Sequence, residues 1–576
     1  MRYSLSILFV LLFVQSMAQG NAVMGKKDTL TNSFTTGGPI DSVDISFSYH
    51  SSTMPGGGFA ATENVQPYDL FLTNAGGSMF RTFSNWKKMR FSALPHLGFG
   101  YIFGGQATQI VRANYTHAFN HTNLLNVDYD LQRGANFLRN GEFTHHDVQL
   151  QYQLTSPFYS LSLKGQYLNR NIGNNDGVIT DTLIDFYGLS YAPVRKGNAL
   201  SQYRGTRIEL EHYFDFLSRD SINATGLYVD NKLQIFNRKY REYSDTLLLI
   251  YPIVFMDLDS TNDQYQLSEV VNGAGLYYSR SNFFLKAGLQ NNWWNYFNLG
   301  NTISRSEINL DGKLGITIRK VELHNHTNVN FIGAQGEWFS YSKLGFDWSN
   351  FHFRGNADIS YLLPEPHQRF YYGNNVYYDL PFDQLKKQFR MNLNAQLDYS
   401  FQQHQIGVFV KNATLTNNYW FYDNTWTADT IGTLNSLSIG VTGKTGYKIL
   451  KFSLSGSYNS SNWMPNLLVQ SRLYLQGRLF KGKKLLGQFG VEASYHNGYR
   501  LLEHLPYMDI YRITSFSNDP MVNLHAFGAF EIQRFRFFFR VENIGYFWNE
   551  STNRVGLNQP IPAMQIRVGI TWDFFN

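Results

Sequence analysis

The chain has 576 residues, of which 43% are hydrophobic, 16% aromatic and only 16% charged, with no Cys and a formal net charge of +6. Soluble proteins usually carry charge on about a quarter of their residues, and the absence of Cys excludes both a disulfide framework and a thiolate metal site. The basic residues are dispersed, apart from Lys481, Lys483 and Lys484 in one short turn, which argues against a nucleic-acid partner.

Arg2, the apolar run Leu5 to Val14 and the small residues Ser16 and Ala18 read as a signal peptide over residues 1–18, leaving Gln19 as the mature end. The run is too short for a membrane helix, which needs about 20 apolar residues, and no later stretch reaches that length. Export without a membrane helix leaves a soluble extracytoplasmic protein or an outer-membrane barrel. Residues 19–67 are Gly- and Thr-rich, with Pro39, Pro55 and Gly56 to Gly58 and one possible strand at Val43, Ile45, Phe47 and Tyr49. They are expected to form a periplasmic or pore-inserted segment ahead of a barrel occupying residues 68–576.

From Val111 onward the chain alternates apolar and polar residues in segments that pair across tight turns. Val111, Ala113 and Tyr115 are followed by Leu125, Val127, Tyr129 and Leu131, which alternate with Asn126, Asp128, Asp130 and Gln132. Val148 to Leu154 turns at Ser156 and Pro157 into Tyr159 to Leu163. Ile208, Leu210 and His212 alternate with Glu209, Glu211, Tyr213 and Asp215, and Leu276 and Tyr278 turn through Ser281 and Asn282. Leu310 to Ile316 turns at Arg319 and Lys320, Phe389 to Phe401 at Gln402 and Gln403, Leu437 to Gly443 near Gly446, and Val522 to Gln533 leads directly into Phe535 to Val541. The connections between these hairpins, such as Asn417 to Gly432 and His496 to Pro520, are long and rich in Asn, Asp, Tyr and Trp. The connection Ser218 to Val229 fits this rhythm worst. Met564, Ile566, Val568, Ile570, Trp572 and Phe574 finally alternate with Gln565, Arg567, Gly569, Thr571 and Asp573.

Successive strand residues point to opposite faces, so every segment needs hydrocarbon or a protein core on one side and water on the other. A soluble sandwich or propeller would need a second layer behind every strand and would show domain boundaries; none appears after Gln106. The expected fold is therefore all-β, a single transmembrane antiparallel up-and-down β-barrel with short periplasmic turns and long extracellular loops. About 21 segments follow Val111, and an even count asks for one more, assigned to Arg90 to Gly98. The total is about 22 strands, within a range of 16 to 22. A barrel of that width needs an occupied lumen. Arg170 to Tyr203, Tyr243 to Gln264 and Leu362 to Lys386 are the candidate infolded loops, with the segment before Tyr68 as the alternative filling.

The run Val541, Glu542, Asn543, Ile544, Gly545, followed by Pro560, Pro562 and then Arg567, Gly569, Ile570, Trp572 and Phe574, resembles the end of the "putative porin" family of Bacteroidetes-type bacteria. Asn174 to Asp181 is similar to that family's polar Asn-Gly-Gly-type loop. The closing strand alone also resembles that of TonB-dependent receptors, and Asn576 replaces the usual terminal Phe. The resemblance implies an outer-membrane channel, with membrane lipid, the barrel assembly machinery and small hydrophilic solutes as partners. Its alternatives are an uptake barrel driven by an energising partner, which should carry a plug of well over a hundred residues, and an adhesion or structural barrel.

No catalytic motif, cofactor loop or metal-ligand set emerges. His145, His146 and Asp147 are adjacent and must point apart, and His324 with His326 reads as a pair on one strand face. Glu209 and Glu211 read as wall charge rather than a glycosidase pair. The candidate lumen-facing residues are Arg112, Asp128, Glu209, Glu211, Arg354, Arg567 and Asp573. Their mixed signs leave ion selectivity open.

Overall fold

The computed structural model describes residues 83–575 except 85, 88, 93, 121, 136, 217–222, 245–246, 248–250, 252, 381–385, 418, 423–424, 429–432, 462–464, 481, 483, 509 and 549–553. The signal segment 1–18, residues 19–67 with the Val43 to Tyr49 strand, and the barrel start placed at residue 68 lie outside the described residues.

The alternating segments form one antiparallel sheet of 22 strands. In chain order these are β1 (His96–Gly104), β2 (Gln109–Asn120), β3 (Asn123–Gly134), β4 (Phe143–Thr155), β5 (Tyr159–Gly173), β6 (Ala199–Asp215), β7 (Ala224–Tyr243) and β8 (Ser260–Arg280). There follow β9 (Phe283–Asn298), β10 (Asn301–Ile318), β11 (Val321–Ile332), β12 (Trp338–Trp348), β13 (Phe351–Leu362), β14 (Gln388–Phe401) and β15 (His404–Thr416). The last seven are β16 (Thr433–Tyr447), β17 (Leu450–Asn459), β18 (Leu467–Leu479), β19 (Leu485–His496), β20 (Met521–Ile532), β21 (Phe535–Glu542) and β22 (Gln565–Phe575). Each strand pairs with its sequence neighbours, and β1 pairs with β22 from His96↔Phe575 to Gly104↔Arg567. The barrel is therefore closed and leaves no free sheet edge.

Two sequence boundaries shift. The strand expected at Arg90 to Gly98 runs instead from His96 to Gly104, because Pro95 has no N–H to give to a ladder. The connection expected at Ser218 to Val229 shortens to residues 216–223, since β7 already begins at Ala224. The turn sought near Gly446 lies at Lys448 and Ile449.

The two rims differ. One carries both ends of the barrel and most of the tight turns; the other carries the long loops together with the two-residue turn Leu299–Gly300. At six two-residue turns the first residue has a positive φ without being glycine: Leu299 (43°), Arg319 (54°), Ser349 (52°), Gln402 (52°), Lys448 (51°) and Gln533 (54°). Hairpins of this length demand that conformation, which disfavours any residue with a Cβ. Gln402→Gly should therefore raise stability by about 0.5–1 kcal/mol, the relieved strain exceeding the entropy that glycine adds to the unfolded chain. An unchanged or lower urea midpoint for unfolding from micelles would refute this.

On the outer face the apolar rows stay uncovered: Val408, Val441, Leu475, Ile566 and Trp572 are all exposed. Hydrocarbon is the environment that matches such a belt. Aromatic side chains collect toward the turn rim, where Phe158, Phe216, Trp348, Phe401, Tyr447 and Phe574 are exposed, as expected for an interfacial girdle. Inside, the wall is uneven in height. β7 and β8 have 20 and 21 residues, whereas β21 has 8 and about 9–11 suffice to cross a bilayer. The tall side rises well past the membrane at the loop rim, and there the interior is filled.

Candidate functional site in the barrel lumen

Two elements occupy the lumen. The first is the lead into β1. Phe83, Ser84, Trp86, Lys87 and Arg90 of this lead lie against the inner wall of β3 to β6, held by wall side chains that a free lumen would leave in water. The Lys87 N–H donates to Gln149 Oε1 at 2.9 Å and its carbonyl accepts from Gln151 Nε2 at 2.8 Å. Asn126 closes a reciprocal pair with the Arg90 backbone, both bonds at 3.1 Å. Trp86 Nε1 donates to Glu209 Oε2 at 2.9 Å, and the Arg207 guanidinium lies 4.2 Å over the Trp86 ring while donating to the Ser84 carbonyl at 3.2 Å. Ser84 donates to Asp147 and accepts from Gln149 and Gln166. Gly205 makes room for Phe83, whose ring a Cβ at that position would meet at 2.7 Å.

The second element is a set of infolded loops. Wall residues Tyr203, Phe236, Tyr240, Tyr265, Trp294 and Tyr296 form one buried cluster with Leu247 and Tyr251 of loop 244–259, Phe370, Tyr371 and Tyr378 of loop 363–387, and Leu505, Tyr507 and Met508 of loop 497–520. Arg238, only 1% exposed, stands at the centre. It donates to the Tyr507 carbonyl at 2.8 Å, to the Pro506 carbonyl and to Tyr371 Oη at 3.3 Å, and Tyr371 itself donates to the Tyr507 carbonyl at 2.6 Å. Asn374 fastens loop 363–387 to loop 244–259, accepting the Met256 and Asp257 N–H groups at 2.8 and 2.9 Å. Tyr243 to Gln264 and Leu362 to Lys386, expected to fold inward, thus contribute to this cluster. Loop 497–520 was not foreseen, although apolar Leu501, Leu502, Leu505 and Met508 in a supposed surface loop carried the signal.

The candidate residues from the sequence lie on strands β2, β3, β6, β13 and β22. Asp128, Glu209 and Glu211 share the β3–β6 wall with the lead: Lys87 Nζ is 3.8 Å from Asp128, and Lys164 lies 4.0 Å from Glu209 and 3.6 Å from Glu211. Arg112 pairs with Asp130 at 3.4 Å, and Asp573 with His96 at 3.2 Å. Arg567 meets Glu542 at 2.8 Å. Arg354 is separate, at the turn-rim mouth, where it and His352 hold Asp347 at 2.9 and 2.8 Å. His145 and His146 diverge as the pleat requires, Asp147 turning inward to Ser84 and His146 meeting Tyr129 Oη at 3.2 Å. His326 bonds Asp311 at 2.7 Å. Across the lumen from the lead, the wall of β16 to β21 borders a cavity of about 310 Å3.

A family profile described as "Putative porin" matches residues 89–576. The chain belongs to that family. Compared by sequence with curated proteins, it matches none. Among solved structures it is similar to the FrpB iron transporter of Neisseria meningitidis, with 8% identity, 84% of this chain and 83% of that chain covered, and a TM-score of 0.57. A mutant of the ferric enterobactin receptor PfeA of Pseudomonas aeruginosa gives 10% identity over 84% of this chain and 81% of that one, at 0.58. The copper transporter OprC gives the same identity, coverage and score. At these identities the likeness concerns the fold. Together with the family it establishes an outer-membrane β-barrel of transport type, with the turn rim periplasmic and the loop rim extracellular.

In this porin-family barrel the Asn-rich stretch after β5 is a docked loop. Asn175 Oδ1 accepts from the Gly177 N–H at 3.0 Å and from Gln559 Nε2 at 3.1 Å, and the Val178 N–H reaches the Asn558 carbonyl at 2.9 Å. Gly177 has φ 80° and a Cβ there would lie 2.2 Å from the Asn558 carbonyl oxygen, so only glycine fits. Burial pushes the neighbouring Asp176 carboxyl up to about 6, against the pull of Lys196 and Arg195 and with help from Glu503 and Glu242. Its folded value exceeds its unfolded value, so the neutral acid is the form the docked loop prefers. That stabilisation is complete below about pH 4 and is lost as pH rises through about 6, and the group's partial access to water limits it to about 1–2 kcal/mol. Protease cleavage in loop 174–198 should increase between pH 5 and 8, and Asp176→Asn should flatten the profile. A pH-independent cleavage rate in the unsubstituted protein would refute the assignment.

Proposed function

We propose that this protein is a porin-like channel that passes small hydrophilic solutes across the outer membrane. The observation that carries the reading is the division of the lumen. One side is filled by the chain's own lead and loops, while the other presents hydroxyl, amide and charged side chains to a cavity, which suits passage of a hydrated solute. Arg112, Asp128, Glu209, Glu211, Arg354, Arg567 and Asp573 are the wall charges proposed to tune permeation. Residues 1–18 direct export, residues 19–67 form a periplasmic or pore-inserted segment, and the barrel assembly machinery inserts the chain. Purified protein in a planar bilayer should give discrete conductance steps in potassium chloride without any partner; silence in every salt would reject the channel.

One observation favours a second reading, an uptake barrel driven by an energising partner. The transporters named above share the barrel fold at TM-scores of 0.57 to 0.58. That reading predicts silent bilayers and uptake that stops when the proton-motive force is collapsed.

A further inference from the structure

Strands β12, β13 and β14 bring six polar side chains together at mid-strand. Tyr341 lies opposite Asp358 and Lys343 opposite Asn356 across the β12–β13 ladder. On the next ladder Asn392 lies opposite Asp358 and Asn394 opposite Asn356. Exposed Leu344, Phe351 and Leu393 hold the alternate, lipid-facing positions of the same strands, so the six side chains point into the lumen. Lys343 and Asp358 are both exposed there. Among the described residues neither makes an ion pair: Lys343 leans over the Tyr341 ring at 5.4 Å, and Arg390 acts on Asp358 only through space. Asn356, Asn392 and Asn394 make no side-chain hydrogen bond among the described residues, and Oδ1 of Asn392 and of Asn394 is buried without a partner. Other parts of the wall pair their charges directly, Lys232 with Glu269 at 2.6 Å and Arg305 with Glu307 at 2.8 Å. The groups bordering the six are engaged as well. Arg390 donates to Gln388 at 2.6 Å, Lys411 lies 5.6 Å over the Phe409 ring, and His326 bonds Asp311 at 2.7 Å.

We propose that this face of β12 to β14 is a binding subsite for a short peptide with free ends, a dipeptide above all. The subsite rests on the porin reading only in taking the lumen as the route by which a peptide arrives. Three features select the class. Lys343 and Asp358 offer one free charge of each sign, which suits a zwitterion: a neutral sugar would leave both without a partner and a simple ion would leave one. The two charges stand on diagonal positions of neighbouring strands, about 7–8 Å apart at the backbone. An extended dipeptide spans about 7 Å, so its carboxylate reaches Lys343 while its ammonium reaches Asp358. Between and beside them stand three carboxamides, the same chemical group as a peptide bond, and a half-turn of each presents either an N–H donor or a carbonyl acceptor.

The test is equilibrium binding to the full-length protein in detergent micelles, read by ligand-observed saturation-transfer NMR. The probes are diglycine, N-acetylglycine, which lacks the ammonium, and glycine N-methylamide, which lacks the carboxylate. Diglycine should bind about tenfold more tightly than either, the worth of one charge-assisted hydrogen bond. Asp358→Asn should weaken diglycine about tenfold and leave N-acetylglycine unchanged. Lys343→Gln should weaken diglycine to a similar extent and leave glycine N-methylamide unchanged. Folding of both variants is checked by heat-modifiable electrophoresis, and the opposite responses of the two truncated probes separate lost charge from lost structure. Equal binding of N-acetylglycine and diglycine would overturn the role of Asp358, and equal binding of glycine N-methylamide would overturn that of Lys343. Undiminished diglycine binding in both variants, or none in the unsubstituted protein, would overturn the site. Because binding is measured without transport, silent bilayers with intact diglycine selectivity would reject the channel and leave this subsite standing.

Discussion

Arg238→Ala should raise the conductance of the channel and expose loops 363–387 and 497–520 to protease. The guanidinium is buried and gives hydrogen bonds to the Tyr507 and Pro506 carbonyls and to Tyr371 Oη, while lying 5.6 and 5.9 Å over the Tyr240 and Tyr265 rings. Through this one guanidinium Arg238 holds both loops to the barrel wall. Hydrogen bonds from a charged donor are worth about 1.5–3 kcal/mol each, but desolvating the guanidinium opposes them, so the net loss of docking is about 3 kcal/mol. That multiplies the undocked population roughly a hundredfold. The barrel itself should persist, since its ladder does not depend on the loops. Arg238→Lys keeps the charge without the planar fork that reaches three acceptors, and should fall between the two. Single-channel recording and limited proteolysis read the outcome. Unchanged conductance with protected loops would show that the plug is held by its aromatic packing alone.

The strands were legible in the sequence because their period is enforced twice, by pleat geometry and by two solvents. Lipid outside and water inside leave no freedom in the row Ile566, Val568, Ile570, Trp572 against Gln565, Arg567, Thr571, Asp573, and the structure reproduces it without a slip. Turns followed for the same reason. Boundaries moved where one residue overruled the pattern, as Pro95 did at the start of β1. What fills the lumen was less legible. Alternation says that Glu209 faces inward, but not that Trp86 will cap it, because that contact spans 123 positions in the chain and has no period. Loop 497–520 was likewise hidden: Asn, Tyr and Arg are common in exposed loops, and only the accompanying Leu and Met residues betray burial. The cavity is distributed more widely still, with lining from Thr442 to Arg540 that comes together only through strand register.

Deleting residues 83–94 should widen the pore and shift its selectivity toward cations. The lead brings Lys87 and Arg90 into the lumen and covers Asp128, Asp147 and Glu209, which it contacts through Lys87, Ser84 and Trp86. Its removal therefore subtracts positive charge and uncovers negative wall in the same step, and both changes attract cations. The reversal potential in a potassium chloride gradient should move toward that of potassium. The hydrogen bonds lost are each worth about 0.5–1.5 kcal/mol net, and ordering the lead opposes part of their sum, so the barrel should lose only a few kcal/mol. Gly205→Ala offers a milder test that leaves every charge in place. Its methyl group enters the space of the Phe83 ring, so the upper end of the lead should lift while Lys87 and Arg90 remain. Conductance should then rise with little change in reversal potential. If the deletion moved selectivity toward anions, the acidic face of β3 to β6 would not be the face the permeating ions meet, and the lead would be a structural strap rather than a lining of the pore.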